Sequence, residues 1–151
     1  MGELKDRLQA DLTESMKARD ELRTATLRMV LTAIGTEEVA GKTARSLSGE
    51  EELKVLAREA KKRREAAEAF RSGGAEDRAA REVAEEEVLA TYLPAQLSDD
   101  ELAELVAQAV QEAGAEGPQA MGAVMKVVNP KVAGRAEGGR VAAAVRAALA
   151  G

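Results

Sequence analysis

Apolar residues recur every four positions at the start of the chain, at Leu4, Leu8, Leu12 and Met16. That spacing puts them on one face of a helix. After Asp20 the apolar positions are Leu22, Thr26, Leu27, Val30, Leu31 and Ile34. This wider stripe predicts the most buried helix, ended at Gly35 and followed by a loop through Gly41, Lys42 and Thr43. Ser48 and Glu51 have capping-box spacing, which starts a third helix reaching about Arg71. Its apolar face is Leu53, Leu56, Ala60, Ala67 and Phe70, and Ser72-Gly73-Gly74 breaks it. A fourth helix is expected from about Ala75 to Leu93, with Val83, Val88, Leu89 and Tyr92 turned inward. Pro94 stops it.

The stretch from Pro94 to Leu97 is the best boundary in the chain. Beyond it Ser98 and Glu101 form a second capping box. A fifth helix buries Leu102, Leu105, Val106, Ala109 and Val110 and ends at Gly114. Gly117-Pro118 opens the sixth, because proline suits a first helical turn. Met121, Val124, Met125 and Val128 line it, and Pro130 closes it. The last helix starts near Glu137 and buries Val141, Val145 and Leu149. No stretch alternates as a strand would. The expected fold is therefore all-α: an N-terminal four-helix domain, residues 1–94, then a small three-helix C-terminal domain, residues 98–151.

Composition narrows the chemistry. The 151 residues include no Cys, His or Trp, one Tyr and one Phe. Ser-His-Asp and Cys-His nucleophiles are excluded, as are His or Cys metal sites and disulfides. Two aromatic rings cannot build a base-stacking platform. Alanine supplies 32 residues, whereas Leu, Ile, Val and Phe together number 30. Helices so rich in alanine make thin contacts, since each methyl buries little area. No apolar run is long enough for a membrane span. The first residues, with Glu3 and Asp6, are not expected to be a signal peptide. A soluble cytoplasmic protein is the expectation, without cofactor or metal.

The net charge of −5 is unevenly spread. Residues 98–116 hold six acidic side chains and no basic one. Residues 117–151 hold five basic side chains, Lys126, Lys131, Arg135, Arg140 and Arg146, against Glu137. That end of an acidic chain carries a local positive field.

Four stretches invite a chemical reading. Gly35 to Thr43 reads GTEEVAGKT, but five residues separate its glycines where a phosphate-binding loop has four, and a helix precedes it where a strand is required. A helix end and polar loop is the better reading. Glu85, Glu86 and Glu87 point in different directions on a helix and form no single site. Lys61, Lys62, Arg63 and Arg64 span a full turn. They either pair with Glu82, Glu85 and Glu86 on the next helix or contact a phosphate or carboxylate. The segment from Met121 to Leu149 sets two short helices around a loop, Asn129 to Gly139, that holds Lys131, Arg135 and three glycines, with Lys126 and Arg140 beside it. Exposed backbone N–H groups beside cations favour anions. The segment is either a phosphate-backbone contact or a small helical module with a basic surface.

The chain resembles the YqeY family, of the GatB/YqeY type, over nearly its whole length. The carrying stretches are MKARDELRTATLRMVLTAI (Met16 to Ile34), KKRREAAEAF (Lys61 to Phe70), YLPAQLS (Tyr92 to Ser98), and MGAVM with PKVAGRAEGGRV (Met121 to Val141). Met121, Gly122, Met125, Pro130, Lys131, Gly134 and Arg135 fit the family pattern. Glu137 stands where the family usually has Asp, and Gly139-Arg140 where a basic and an apolar residue are expected. The family is similar to the C-terminal tail of the B subunit of tRNA-dependent amidotransferase. The resemblance thus implies an accessory module that binds tRNA by backbone and shape, without catalysis of its own. It also implies the family label of carbon–nitrogen ligase with glutamine as amido-N-donor. The implied partners are tRNA and amidotransferase or aminoacyl-tRNA synthetase proteins. The expected nucleic-acid contacts are Lys61, Lys62, Arg63, Arg64, Lys126, Lys131, Gly134, Arg135 and Arg140. The alternative is a helical protein-interaction module that does not touch nucleic acid.

Overall fold

The computed structural model describes residues 2–114 and 116–150. Among these the secondary structure is seven α-helices and a 3-10 turn, with no strand. The helices are α1 (Glu3–Lys17), α2 (Glu21–Glu38), α3 (Gly49–Ser72), α4 (Glu76–Ala90), α5 (Asp99–Ala113), α6 (Met121–Val132) and α7 (Gly138–Ala150). The all-α class follows. The chain divides into two compact units, Met1–Leu93 and Pro94–Gly151. The outer limits expected at residues 1 and 151 lie outside the described residues.

The first unit contains α1 to α4. Its core is Leu8, Leu27, Val30, Ile34, Leu47, Val55, Leu56, Ala60, Leu89 and Tyr92. Met16, expected on the buried face of α1, is 43% exposed. It lies in the last turn of α1, where Arg28 donates to its sulfur. Leu47, on the loop before α3, takes a core place that helical periodicity does not reveal.

Gly35 does not end α2, which runs on to Glu38. Tertiary contacts outweigh the weak helix propensity of one glycine. Ile34 is fully buried, and Lys5 Nζ bonds both carboxylate oxygens of Glu38 at 2.9 and 3.0 Å. The last turn is therefore fastened to α1. The start of α1 is fastened to α3 in turn. Gly2 offers no side-chain cap, but the Glu52 carboxylate accepts from the Lys5 N–H at 3.0 Å. A Cβ at position 2 would collide with that carboxylate, so a larger residue there would have to push the end of the Glu52 side chain aside.

Tyr92, just past the end of α4, reaches both α1 and α2. Its hydroxyl donates to Asp11 on α1 at 2.5 Å and accepts from Arg23 on α2 at 3.1 Å. Arg7 lies over its ring, 4.6 Å from the centroid. Burial raises the phenol's pKa, and Asp11 raises it further.

The second unit contains α5, the turn Pro118–Ala120, α6 and α7. Its core is Leu97, Leu102, Val106, Ala109, Ala120, Val124, Val128, Val132, Val141 and Val145, aliphatic throughout. Pro130 does not close α6, which ends at Val132. Proline removes the N–H that would reach back to the Lys126 carbonyl and crowds that carbonyl. Here both residues are exposed, and only two helical residues follow. Ala133 makes the stop with a left-handed φ of 47°, and Gly134 follows at 81°. The loop is thus residues 133–137, shorter than the expected Asn129 to Gly139.

Both expected capping boxes are present, at Ser48 with Glu51 and Ser98 with Glu101. Glu51 also pairs with Arg45 through two bonds, at 2.9 and 2.5 Å. The Arg45 guanidinium and the Ser48 amide hold the Glu51 carboxyl down at about 2, against the ordinary 4.5. Because the pKa is lower in the fold, this stabilisation is present above pH 4.5. It is lost as pH falls from there toward about 2. In urea unfolding across that window, Glu51→Gln should flatten the acid loss relative to the native chain.

Candidate nucleic-acid interface

In the second unit α6 and α7 carry the cations and α5 carries the acids. Lys126, midway along α6, is exposed. Lys131, in the last turn, extends Nζ to Glu112 Oε1 on α5 at 3.1 Å. Arg135, in the loop, turns back onto the end of α6. Its guanidinium donates to the carbonyls of Lys131 at 2.6 Å and Val132 at 3.2 Å. Both lie in the last turn of α6, where helical carbonyls lose their regular partners, and the Val132 carbonyl also accepts the Arg135 N–H at 3.0 Å. Arg140, in the first turn of α7, donates to the Leu97 carbonyl at 3.0 Å and Asp99 Oδ1 at 2.9 Å. Leu97 closes the arrangement by donating its N–H to the Arg135 carbonyl at 2.7 Å.

The loop supplies backbone as well as charge. Gly134 is exposed, and a Cβ there would meet no atom within 4 Å. Its glycine is required by φ and not by crowding. Val141 donates its N–H to the Glu137 carbonyl at 3.1 Å, so Glu137 stands at the head of α7. Arg146, on α7, is exposed. It belongs to the same basic segment and was absent from the expected contact set, since no motif residue marks it.

In the first unit the run Lys61 to Arg64 lies on α3, opposite the acids of α4. Lys61 pairs with Glu65 at 3.9 Å and Lys62 with Glu59 at 3.1 Å. Arg63, only 17% exposed, reaches Glu59 at 3.4 Å and both Glu82 and Glu85 at 3.7 Å. It also donates to the sulfur of Met29. Arg64 bonds Glu86 at 2.8 Å. The acids expected to face this run therefore do so, and its charge is met inside the unit. Glu85 is raised above its ordinary pKa, first by burial and then by Glu82, against the pull of Arg63 and Arg81.

Among the described residues no three Asp or Glu side chains gather into a metal site. No helix among them is long and apolar enough to cross a membrane.

A family model described as Yqey-like protein matches residues 5–149. The chain belongs to that family. The match spans both compact units, so the α3–α4 hairpin and the α6–α7 turn both fall within YqeY-family sequence. No curated protein matches the chain.

Arg63 is the charge that lets Glu59, Glu82 and Glu85 sit together. Arg63→Leu should cost about 2–4 kcal/mol, between the values for exposed and for fully buried pairs. Chemical denaturation at neutral pH measures it. The deficit should shrink below the ordinary carboxylate range, where protonation relieves the unpaired acids. An equal deficit at all pH values would contradict this account.

Proposed function

We propose that the chain is an accessory tRNA-binding module without catalysis of its own, and that α6 and α7 form its contact face. In this reading an N-terminal four-helix domain is followed by a three-helix RNA-contacting domain. The observation that carries it is the separation of charge within the second unit. All five basic side chains after residue 116 lie on or between α6 and α7, while α5 holds only acids. Lys126 and Arg146 are exposed, and the Gly134 backbone is open to a ligand. A surface of this kind reads phosphate backbone and shape, since it has no ring to stack on a base. Family membership and the likeness to the amidotransferase tail support tRNA as the nucleic acid. Amidotransferase or aminoacyl-tRNA synthetase proteins, in the cytoplasm, are the fitting company for such a module.

The roles of the expected contact residues separate accordingly. Lys126, Lys131 and Arg146 are the contact cations. Arg135 and Gly134 shape the turn, and Arg140 both ties it to the Leu97 carbonyl and belongs to the contact face. Lys61 to Arg64 belong to the internal charge pairing of α3 and α4.

A second reading rests on that pairing. With Lys61 to Arg64 neutralised internally, the first unit suits a protein partner better than a polyanion. The two readings give different results with bulk tRNA in fluorescence anisotropy. A module contacting two or three phosphates should lose about seven- to fortyfold in affinity between 50 and 200 mM salt. Lys126→Ala and Arg146→Ala should each weaken binding and lower the salt slope by about 0.7–0.9. Absence of binding at 50 mM salt would exclude tRNA contact and leave the protein-interaction reading.

A further inference from the structure

Two of the cations on the proposed contact face are already occupied, each by an acid of α5. Arg140 bonds Asp99 at the first residue of α5, and Lys131 bonds Glu112 near its last. The two acids stand 13 residues apart on one helix, hence about 20 Å along its axis. In each pair the acid is the more exposed member: 96% for Asp99 against 35% for Arg140, and 54% for Glu112 against 29% for Lys131. Solvent reaches these carboxylates, and an incoming anion can replace them without opening the aliphatic core.

We propose that α5 is a built-in phosphate mimic. Asp99 and Glu112 mask Arg140 and Lys131, and RNA binds by exchanging its phosphates for these carboxylates. This rests on the RNA-binding reading above and adds regulation to the same face. The exchange is purely non-covalent: each N–H leaves a carboxylate oxygen and donates to a phosphate oxygen. The freed carboxylates turn to water. The masking sets a threshold, so that only a polyanion long enough to engage both ends repays the two lost pairs. A single phosphate or a short acidic peptide does not. Arg140 keeps its second bond, to the Leu97 carbonyl, so the turn retains its shape during exchange.

The test is a double-mutant cycle read by anisotropy with bulk tRNA at fixed low salt. Asp99→Asn and Glu112→Gln should each tighten binding by roughly 1.5- to 5-fold, the scale of an exposed ion pair. The gain from Glu112→Gln should vanish in a Lys131→Gln background and persist beside Arg140→Gln. The gain from Asp99→Asn should show the opposite dependence. Asp100→Asn removes the same charge from the same helix turn, and Asp100 has no ion pair among the described residues, so it should give a smaller gain. Equal gains from Asp100→Asn and Asp99→Asn, independent of background, would reduce the effect to net charge and overturn the masking. Should Asp99→Asn weaken α5, thermal unfolding will reveal it, and the Glu112–Lys131 cycle decides alone. If neither the native chain nor the doubly unmasked variant binds tRNA, the RNA-binding reading fails and the masking fails with it. If the native chain binds but no cycle shows coupling, only the masking fails.

Discussion

The guanidinium of Arg140 stands where three parts of the second unit meet: the segment leading into α5, the first turn of α5, and the start of α7. It donates to the Leu97 carbonyl and to Asp99 while Leu97 donates to the Arg135 carbonyl. Gln96 adds a weaker bond to the Gly134 carbonyl at 3.4 Å. These bonds fix a short irregular segment and a tight turn against each other. The apolar core alone would hold them less well, since it contains only valine, leucine and alanine, and small side chains stabilise weakly per residue. Arg135 does the matching work at the end of α6. The positions that most resemble an anion site are thus also the ones that give the turn its shape.

The first unit solves the same problem with a different set of charges. Its helices are long and alanine-rich, and its core includes one aromatic ring, that of Tyr92. Polar groups fasten the helices to one another at chosen points. Lys5 meets Glu38, Glu52 meets the head of α1, Tyr92 meets Asp11 and Arg23, and Arg63 meets the acids of α3 and α4. The half-buried Arg63 cluster is the most demanding of these, because each of its acids would be costly to cover without the guanidinium. A high density of charge here produces pairing between side chains of one unit, and the Arg63 pairs are its least exposed part.

Much of the helical layout is legible in the sequence, because alanine-rich amphipathic stretches, two capping boxes and the Gly73-Gly74 break are local signals. The errors fall where a distant contact decides. Gly35 reads as a helix end, but Glu38 is pulled onto Lys5. Pro130 reads as a stop, but it and Lys126, whose carbonyl it would crowd, are both exposed residues, and only two helical residues follow. Met16 fits the α1 stripe by spacing, yet its turn lies at the edge of the core. Leu47 and Glu52 carry no periodic signal at all, and their roles come from the packing of separate helices. For the candidate interface, the basic segment was legible and the division of labour within it was not. That Arg135 caps the end of α6 and that Arg140 holds Leu97 depends on side-chain reach across a turn, which spacing does not encode. The pairing of Lys61 to Arg64 with Glu82, Glu85 and Glu86 was one of two open readings, and a hairpin of α3 with α4 brings it about.

The central claim is that α6 and α7 form the RNA-contacting face while the first unit keeps its charges to itself. Backbone amide chemical shifts, followed as bulk tRNA is added to the isotopically labelled full chain, test it residue by residue. The account predicts shifts concentrated between Met121 and Arg146, with the strongest at Lys126, Lys131 and Gly134. It predicts little change along Lys61 to Arg64. Shifts centred on α3 and α4, or none at low salt, would contradict it.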